Sequence, residues 1–175
     1  MNSPAETKIL TRQEAVRQAG QWHTEGLRIV FTNGCFDILH LGHIDYLEKA
    51  RQLGDKLILG LNTDASVSCI KGPLRPVVDE YARARIMASL AFVDAVTLFG
   101  ESTPLELIQA VRPDILVKGD DYAVKDIVGA DFVIQNGGSV QTIPLVRGYS
   151  TTALIEKIRK AYDGAGQRVS GPDQR

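Results

Sequence analysis

The feature that most constrains this chain is an alternation of short, continuously apolar runs with stretches of helical character. Ile29-Val30-Phe31 ends at Asn33-Gly34; Leu57 to Leu61, Ala95 to Phe99, Ile115 to Val117, and Val140 to Ile143 after Gly137-Gly138 follow. Runs this short and apolar at every position read as strands covered on both faces. Between them lie helices. Thr11-Arg12-Gln13-Glu14 has the spacing of a capping box, and Val16, Ala19 and Trp22 recur behind it at helical intervals. Ile44, Leu47 and Ala50 suit a helix over 42–53, closed by Gly54. Thr103-Pro104 opens another that stops near Arg112-Pro113, and Ser150 caps a last amphipathic helix carrying Leu154, Ile155, Ile158 and Tyr162. The pattern predicts an α/β fold: a doubly wound, five-stranded parallel sheet with helices on both faces.

At 175 residues there is material for one domain and not for two ordinary ones. The reading divides the chain into an N-terminal extension over 1–10, a domain over 11–162 and a disordered tail over 163–175, where small and polar residues leave little to bury. No apolar run approaches the roughly 18 residues of a membrane span, and Met1 to Lys8 lacks the apolar stretch of a secretory signal. The expected location is the cytoplasm. With a net charge of −1 and no block of Lys and Arg, neither nucleic acid nor membrane is an expected partner. Cys35 and Cys69 have no CxxC or zinc-finger spacing and are expected as reduced thiols, Cys35 as a small residue beside a turn. His23 reads as a surface or packing residue and Trp22 as core.

Chemistry concentrates in Thr32-Asn33-Gly34-Cys35-Phe36-Asp37-Ile38-Leu39-His40-Leu41-Gly42-His43. This segment sits where an α/β sheet holds ligands, at the carboxyl end of a strand and the start of a helix. Gly34 permits a sharp turn, and Gly42 leaves room for a phosphate chain against backbone. The opening turn of the helix offers unpaired N–H groups and the positive end of its dipole to an anion. His40 and His43, three residues apart, can face one side there. Zinc would need further ligands, and His23 and the cysteines are badly placed in sequence to supply them.

Gly34, Phe36, Asp37, His40, Gly42 and His43 together resemble the cytidylyltransferase-like nucleotidyltransferase superfamily. Asn62-Thr63-Asp64-Ala65-Ser66-Val67, Lys71-Gly72 with Arg75-Pro76, Val117-Lys118-Gly119-Asp120-Asp121-Tyr122, and Gly148-Tyr149-Ser150-Thr151-Thr152 narrow the resemblance. They look like the adenylyltransferases that make ADP-heptose from D-glycero-β-D-manno-heptose 1-phosphate. The resemblance implies a Rossmann-like sheet of order 3-2-1-4-5, a homodimer, and two substrates: ATP and a sugar 1-phosphate. It implies that Thr32, Asn33, Gly34, Cys35, Phe36, His40, Gly42, His43, Lys118, Gly119, Ser150, Thr151 and Thr152 bind the nucleotide. His40, His43, Lys71 and Arg83 become the catalytic residues by the same resemblance; Asp37, Lys71, Asp120 and Asp121 would bind the acceptor. No metal ligand from the protein is implied; Mg²⁺ would be bridged by phosphate oxygens.

The alternative is a CTP-dependent cytidylyltransferase acting on glycerol 3-phosphate or a similar small acceptor. Enzymes of that kind carry an arginine three residues before the glycine of the last motif. Here the position is Leu145, with Arg147 displaced by two, which favours the adenylyl reading. With strand order 3-2-1-4-5 the crevice opens between the first and fourth strands. The acceptor is therefore expected near Asp37, Lys71 and the loop Lys118-Gly119-Asp120-Asp121.

Overall fold

The computed structural model describes residues 3–121 and 123–163. In chain order the elements are β1 (Ile9–Leu10), α1 (Arg12–Thr24), β2 (Ile29–Gly34), α2 (Leu41–Arg51), β3 (Lys56–Asn62), α3 (Asp64–Lys71), α4 (Glu80–Ala88), β4 (Ala95–Phe99), α5 (Leu105–Val111), β5 (Ile115–Gly119), α6 (Ala130–Gln135), β6 (Ser139–Ile143) and α7 (Thr151–Asp163). The sheet is parallel throughout and runs β1-β4-β3-β2-β5-β6.

The five strands anticipated from the apolar runs stand in the expected order 3-2-1-4-5, as β4-β3-β2-β5-β6. The sheet has six strands rather than five, because Ile9 and Leu10 pair with Val96 and Thr97 at its edge. Two residues are too few to leave a period in the sequence, so the segment set aside as an extension contributes the edge strand. Thr11 caps α1 through a full capping box with Glu14. At α5 the N-cap is Pro104, with no side-chain cap bond, so Thr103 does not play the capping part expected of it. Helices α3, α4 and α6, 6 to 9 residues long, were not legible as separate periods. Beyond Asp163 the expected tail lies outside the described residues, as does Tyr122.

Alternate residues along each strand feed two cores, one on each face. Val30, Leu57, Leu59, Leu61, Ile115 and Val117 pack with Leu47 of α2 and Met87 of α4. Ile29, Phe31, Ile58 and Leu116 pack with Ala15, Ala19 and Trp22 of α1, Leu107 and Ile108 of α5, and Val133 of α6. This is why the strands read as unbroken apolar runs: neither parity faces water. His23 packs at the surface, its Nε2 3.3 Å from Asp114 Oδ2. No helix among the described residues is long and apolar enough to cross a membrane.

Candidate active site

The sheet order reverses at β2, whose neighbours are β3 on one side and β5 on the other. Over the carboxyl ends of these strands lies a cavity of about 480 Å³, lined by residues of every motif singled out above. Its floor is the turn from β2 to α2. Phe36 takes φ 42°, a left-handed conformation uncommon for a non-glycine residue. Packing holds it there: the ring is 7% exposed and stands 5.0 Å from the His43 ring, centroid to centroid.

Asp37 is expected on the acceptor, but its side chain is turned inward. The Oδ1 accepts the Val77 and Val78 N–H groups at 2.8 and 2.9 Å, and Oδ2 accepts Arg75 Nε at 2.6 Å. Burial alone would raise this carboxyl. The Val78 and Val77 amides and the Arg75 guanidinium outweigh it and hold Asp37 below the usual carboxylate range. The carboxylate thus fastens the loop that follows α3 over the turn from β2 to α2, at the edge of the cavity that Asp37 also lines.

His40 is the N-cap of α2 and His43 lies in its first turn; no side chain caps that turn. The two rings stack at 3.7 Å and 21°. Both Nδ1 atoms are buried without a hydrogen-bond partner, an arrangement that costs free energy unless a ligand satisfies it. Burial lowers both imidazoles, and His43 falls to about 4, with His40 adding to the effect and Asp37 opposing it. Both are therefore neutral near pH 7. Gly42 is required by their closeness: a Cβ there would stand 3.1 Å from His40 Nδ1 and 3.4 Å from Tyr149 Cβ.

Around this pair the walls carry charge. Lys71, the last residue of α3, lies on the cavity and precedes Gly72, whose φ of 96° turns the chain. Lys118, at the end of β5, reaches across the crevice and donates to Asn33 O and Oδ1 at 3.1 and 2.6 Å. Burial lowers its ammonium to about 8, with Asp121 opposing. Ser150, Thr151 and Thr152 bring the start of α7 to the same cavity, and Ser150 Oγ accepts the Ala153 N–H at 3.1 Å. Two helix N-termini thus converge where an anion would lie. Cys35, Gly34 and Gly119 also line the cavity, and burial pushes the Cys35 thiol up.

Three expected site residues stand elsewhere. Arg83 is 0% exposed and does not reach the cavity. Its Nη1 donates to Cys35 O at 2.6 Å, Nε to Val78 O at 2.9 Å and Nη2 to Asp64 Oδ1 at 2.7 Å, so all its polar edges are engaged in bracing the site from behind. Thr32 lies beneath the floor, its hydroxyl 2.7 Å from Tyr46 OH. Asp120 accepts the Leu145 N–H and also stands off the cavity, whereas Asp121 faces it. Sequence reasoning assigned no role to Arg75, Tyr149, Asn62, Phe99 or Ser102, all of which line the cavity. Arg75, Asn62 and Tyr149 stood inside quoted motifs and were findable. Phe99 and Ser102 were not, because only the fold brings them to Gly34.

A doubly wound sheet that ends in two open helix N-termini, stacked neutral imidazoles and flanking lysines is the framework of a nucleotidyltransferase. The chain belongs to the cytidylyltransferase-like family, whose model matches residues 31–157. It is 55% identical over 151 residues to the bifunctional protein HldE of Magnetococcus marinus, covering 86% of this chain and 31% of that protein. It is 54% identical over 153 residues to HldE of Koribacter versatilis, covering 87% and 32%. The chain thus spans about a third of the length of the curated relatives it matches. Among solved structures it resembles a lipopolysaccharide core biosynthesis protein from Thermoplasma volcanium, with TM-score 0.56, 31% identity, and coverage of 71% of this chain and 100% of that one. It shares the fold alone with the pantoate-beta-alanine ligase of Francisella tularensis, with TM-score 0.55, 16% identity and coverage of 91% and 79%.

Proposed function

We propose that this nucleotidyltransferase transfers the AMP group of ATP to D-glycero-β-D-manno-heptose 1-phosphate, giving ADP-heptose and pyrophosphate as a precursor of lipopolysaccharide or a related heptose glycan. One observation supports the nucleotide half of this reading: the His40–His43 stack, whose buried Nδ1 atoms lack partners at the uncapped start of α2. The relatives at 54–55% identity and the lipopolysaccharide core biosynthesis structure support the acceptor half. Leu145 on the cavity wall, where the CTP-using enzymes of glycerol phosphate carry arginine, favours ATP.

In this reading an oxygen of the sugar phosphate attacks the α-phosphorus in line, and the bond to the bridging oxygen of the leaving pyrophosphate breaks. A sugar phosphate is already anionic, so no strong base is needed. Catalysis rests on positioning two polyanions and stabilising the charge that builds on the leaving group. His40 and His43 supply ring donors to the phosphates without a fixed charge, Lys71 and Arg75 approach from the α3 side, and Ser150 and Thr151 add hydroxyl and amide donors. Among the described residues no cluster of three or more His, Cys, Asp or Glu is arranged to hold a metal ion. A divalent ion bound together with the nucleotide would neutralise phosphate charge in this cavity. Action as a cytoplasmic homodimer belongs to the same reading.

The test is pyrophosphate release with ATP or CTP against heptose 1-phosphate, a hexose 1-phosphate and glycerol 3-phosphate. The reading expects ATP with heptose 1-phosphate to give the highest kcat/KM. Preferred turnover of CTP with glycerol 3-phosphate would overturn it.

A further inference from the structure

Over the ends of β3 and β4 the cavity wall includes Asn62, Phe99, Ser102 and Pro104: an amide, a hydroxyl, two rings and no charge. Neutral hydrogen-bonding groups set among ring faces suit a polyol, which offers hydroxyls at its edges and C–H groups on its face. Asn62 ends β3 opposite Phe99, one residue beyond the Leu61–Gly34 pair, and so stands beside the phosphate turn. It is 4% exposed, and its Nδ2 donates to Ser66 Oγ at 2.9 Å, which fixes the plane of the amide. The other amide edge has no partner among the described residues. The residue as a whole is buried, yet it lines the cavity, where this edge is open to a ligand's hydroxyl.

We infer that Asn62 is a specificity-determining residue for the acceptor, its open amide edge holding a hydroxyl of the phosphorylated sugar while Phe99 and Pro104 cover the carbon face. A hydroxyl both donates and accepts, so either edge of the amide would hold it. The inference rests on the sugar-phosphate reading above and moves the acceptor from Asp120 and Asp121 to the β3–β4 side. Steady-state pyrophosphate release by the full chain tests it, with each substrate varied at saturation of the other. For Asn62→Ala the acceptor kcat/KM should fall about tenfold or more, the scale of one lost buried hydrogen bond, while the KM for ATP stays within about twofold. Asn62→Ser, which retains a small hydroxyl, is expected between the two and serves if the alanine variant does not fold. Acceptor kcat/KM within about twofold of wild type overturns the inference, as does an equal loss toward both substrates. The acceptor used is whichever phosphorylated compound the wild type turns over best. A wild type that prefers another acceptor thus counts against heptose while the Asn62 effect is still read on that compound.

Discussion

At the scale of single residues the proposed chemistry rests on the imidazole pair. His43, held near pKa 4 by burial, is neutral in the folded protein, whereas an exposed imidazole takes its proton near 6.5. The sign follows directly. Between these values the unfolded chain binds the proton and the folded one does not, so this group costs nothing above about 6.5 and weakens the fold as pH falls toward 4. At roughly 1.4 kcal/mol per unit the loss reaches at most about 3.5 kcal/mol. Urea unfolding at pH 7 and at pH 4.5 is expected to show wild type losing more stability than His43→Gln; equal losses would contradict the account. For turnover, His40→Ala or His43→Ala is expected to lower kcat by about a hundredfold, as for loss of a preorganised oxyanion donor. Pyrophosphate release near the wild-type rate would remove that role. The pair was legible from spacing alone, since two histidines three apart at a helix start must share a side. Their stacking and neutrality were not, because burial of His43 against Phe36 is a product of the fold.

At the scale of elements, the site is held together by side chains that never touch it. Arg83 of α4 ties the end of β2 to the loop before α4 and to the first residue of α3, from a fully buried position. Replacing Arg83 leaves the Cys35 and Val78 carbonyls without their donor, so Arg83→Met is expected to cost about 1–3 kcal/mol of unfolding free energy. Arg83→Lys should not rescue it, because an ammonium cannot reproduce the planar fork that meets these acceptors. Denaturant unfolding measures both; a loss under about 1 kcal/mol would refute the bracing role. The sequence offered Arg83 as a catalytic residue because resemblance gives a position and not the direction of a side chain. Asp37 does line the cavity, and only the fold reveals that its oxygens are also bound by Arg75 and two amides. Helix α3 escaped notice and α4 was placed by resemblance rather than by period, because Gly72, Pro73 and Pro76 cut the stretch between them into pieces too short for a period.

For the molecule as a whole, a sheet with two dry faces explains why the fold was readable and part of the site was not. Every central strand must be apolar at both parities, and that demand writes itself into contiguous sequence. Leu59, buried in the middle of β3, is expected to cost about 2–5 kcal/mol on change to Ala, measured by thermal or urea unfolding; a change below 1 kcal/mol would mean the core is not where it is drawn. The turn from β2 to α2 is likewise one contiguous segment, and most of it lines the cavity. The wall over β3 and β4 draws on residues 62, 99, 102 and 104, which meet only once two strand ends are set side by side. The central claim is that stacked neutral imidazoles at an open helix start receive the triphosphate. Imidazole nitrogen NMR during titration with ATP in millimolar magnesium tests it: both His40 and His43 should shift saturably, with His23 unmoved. Saturable ATP binding that leaves the two imidazoles undisturbed would contradict it.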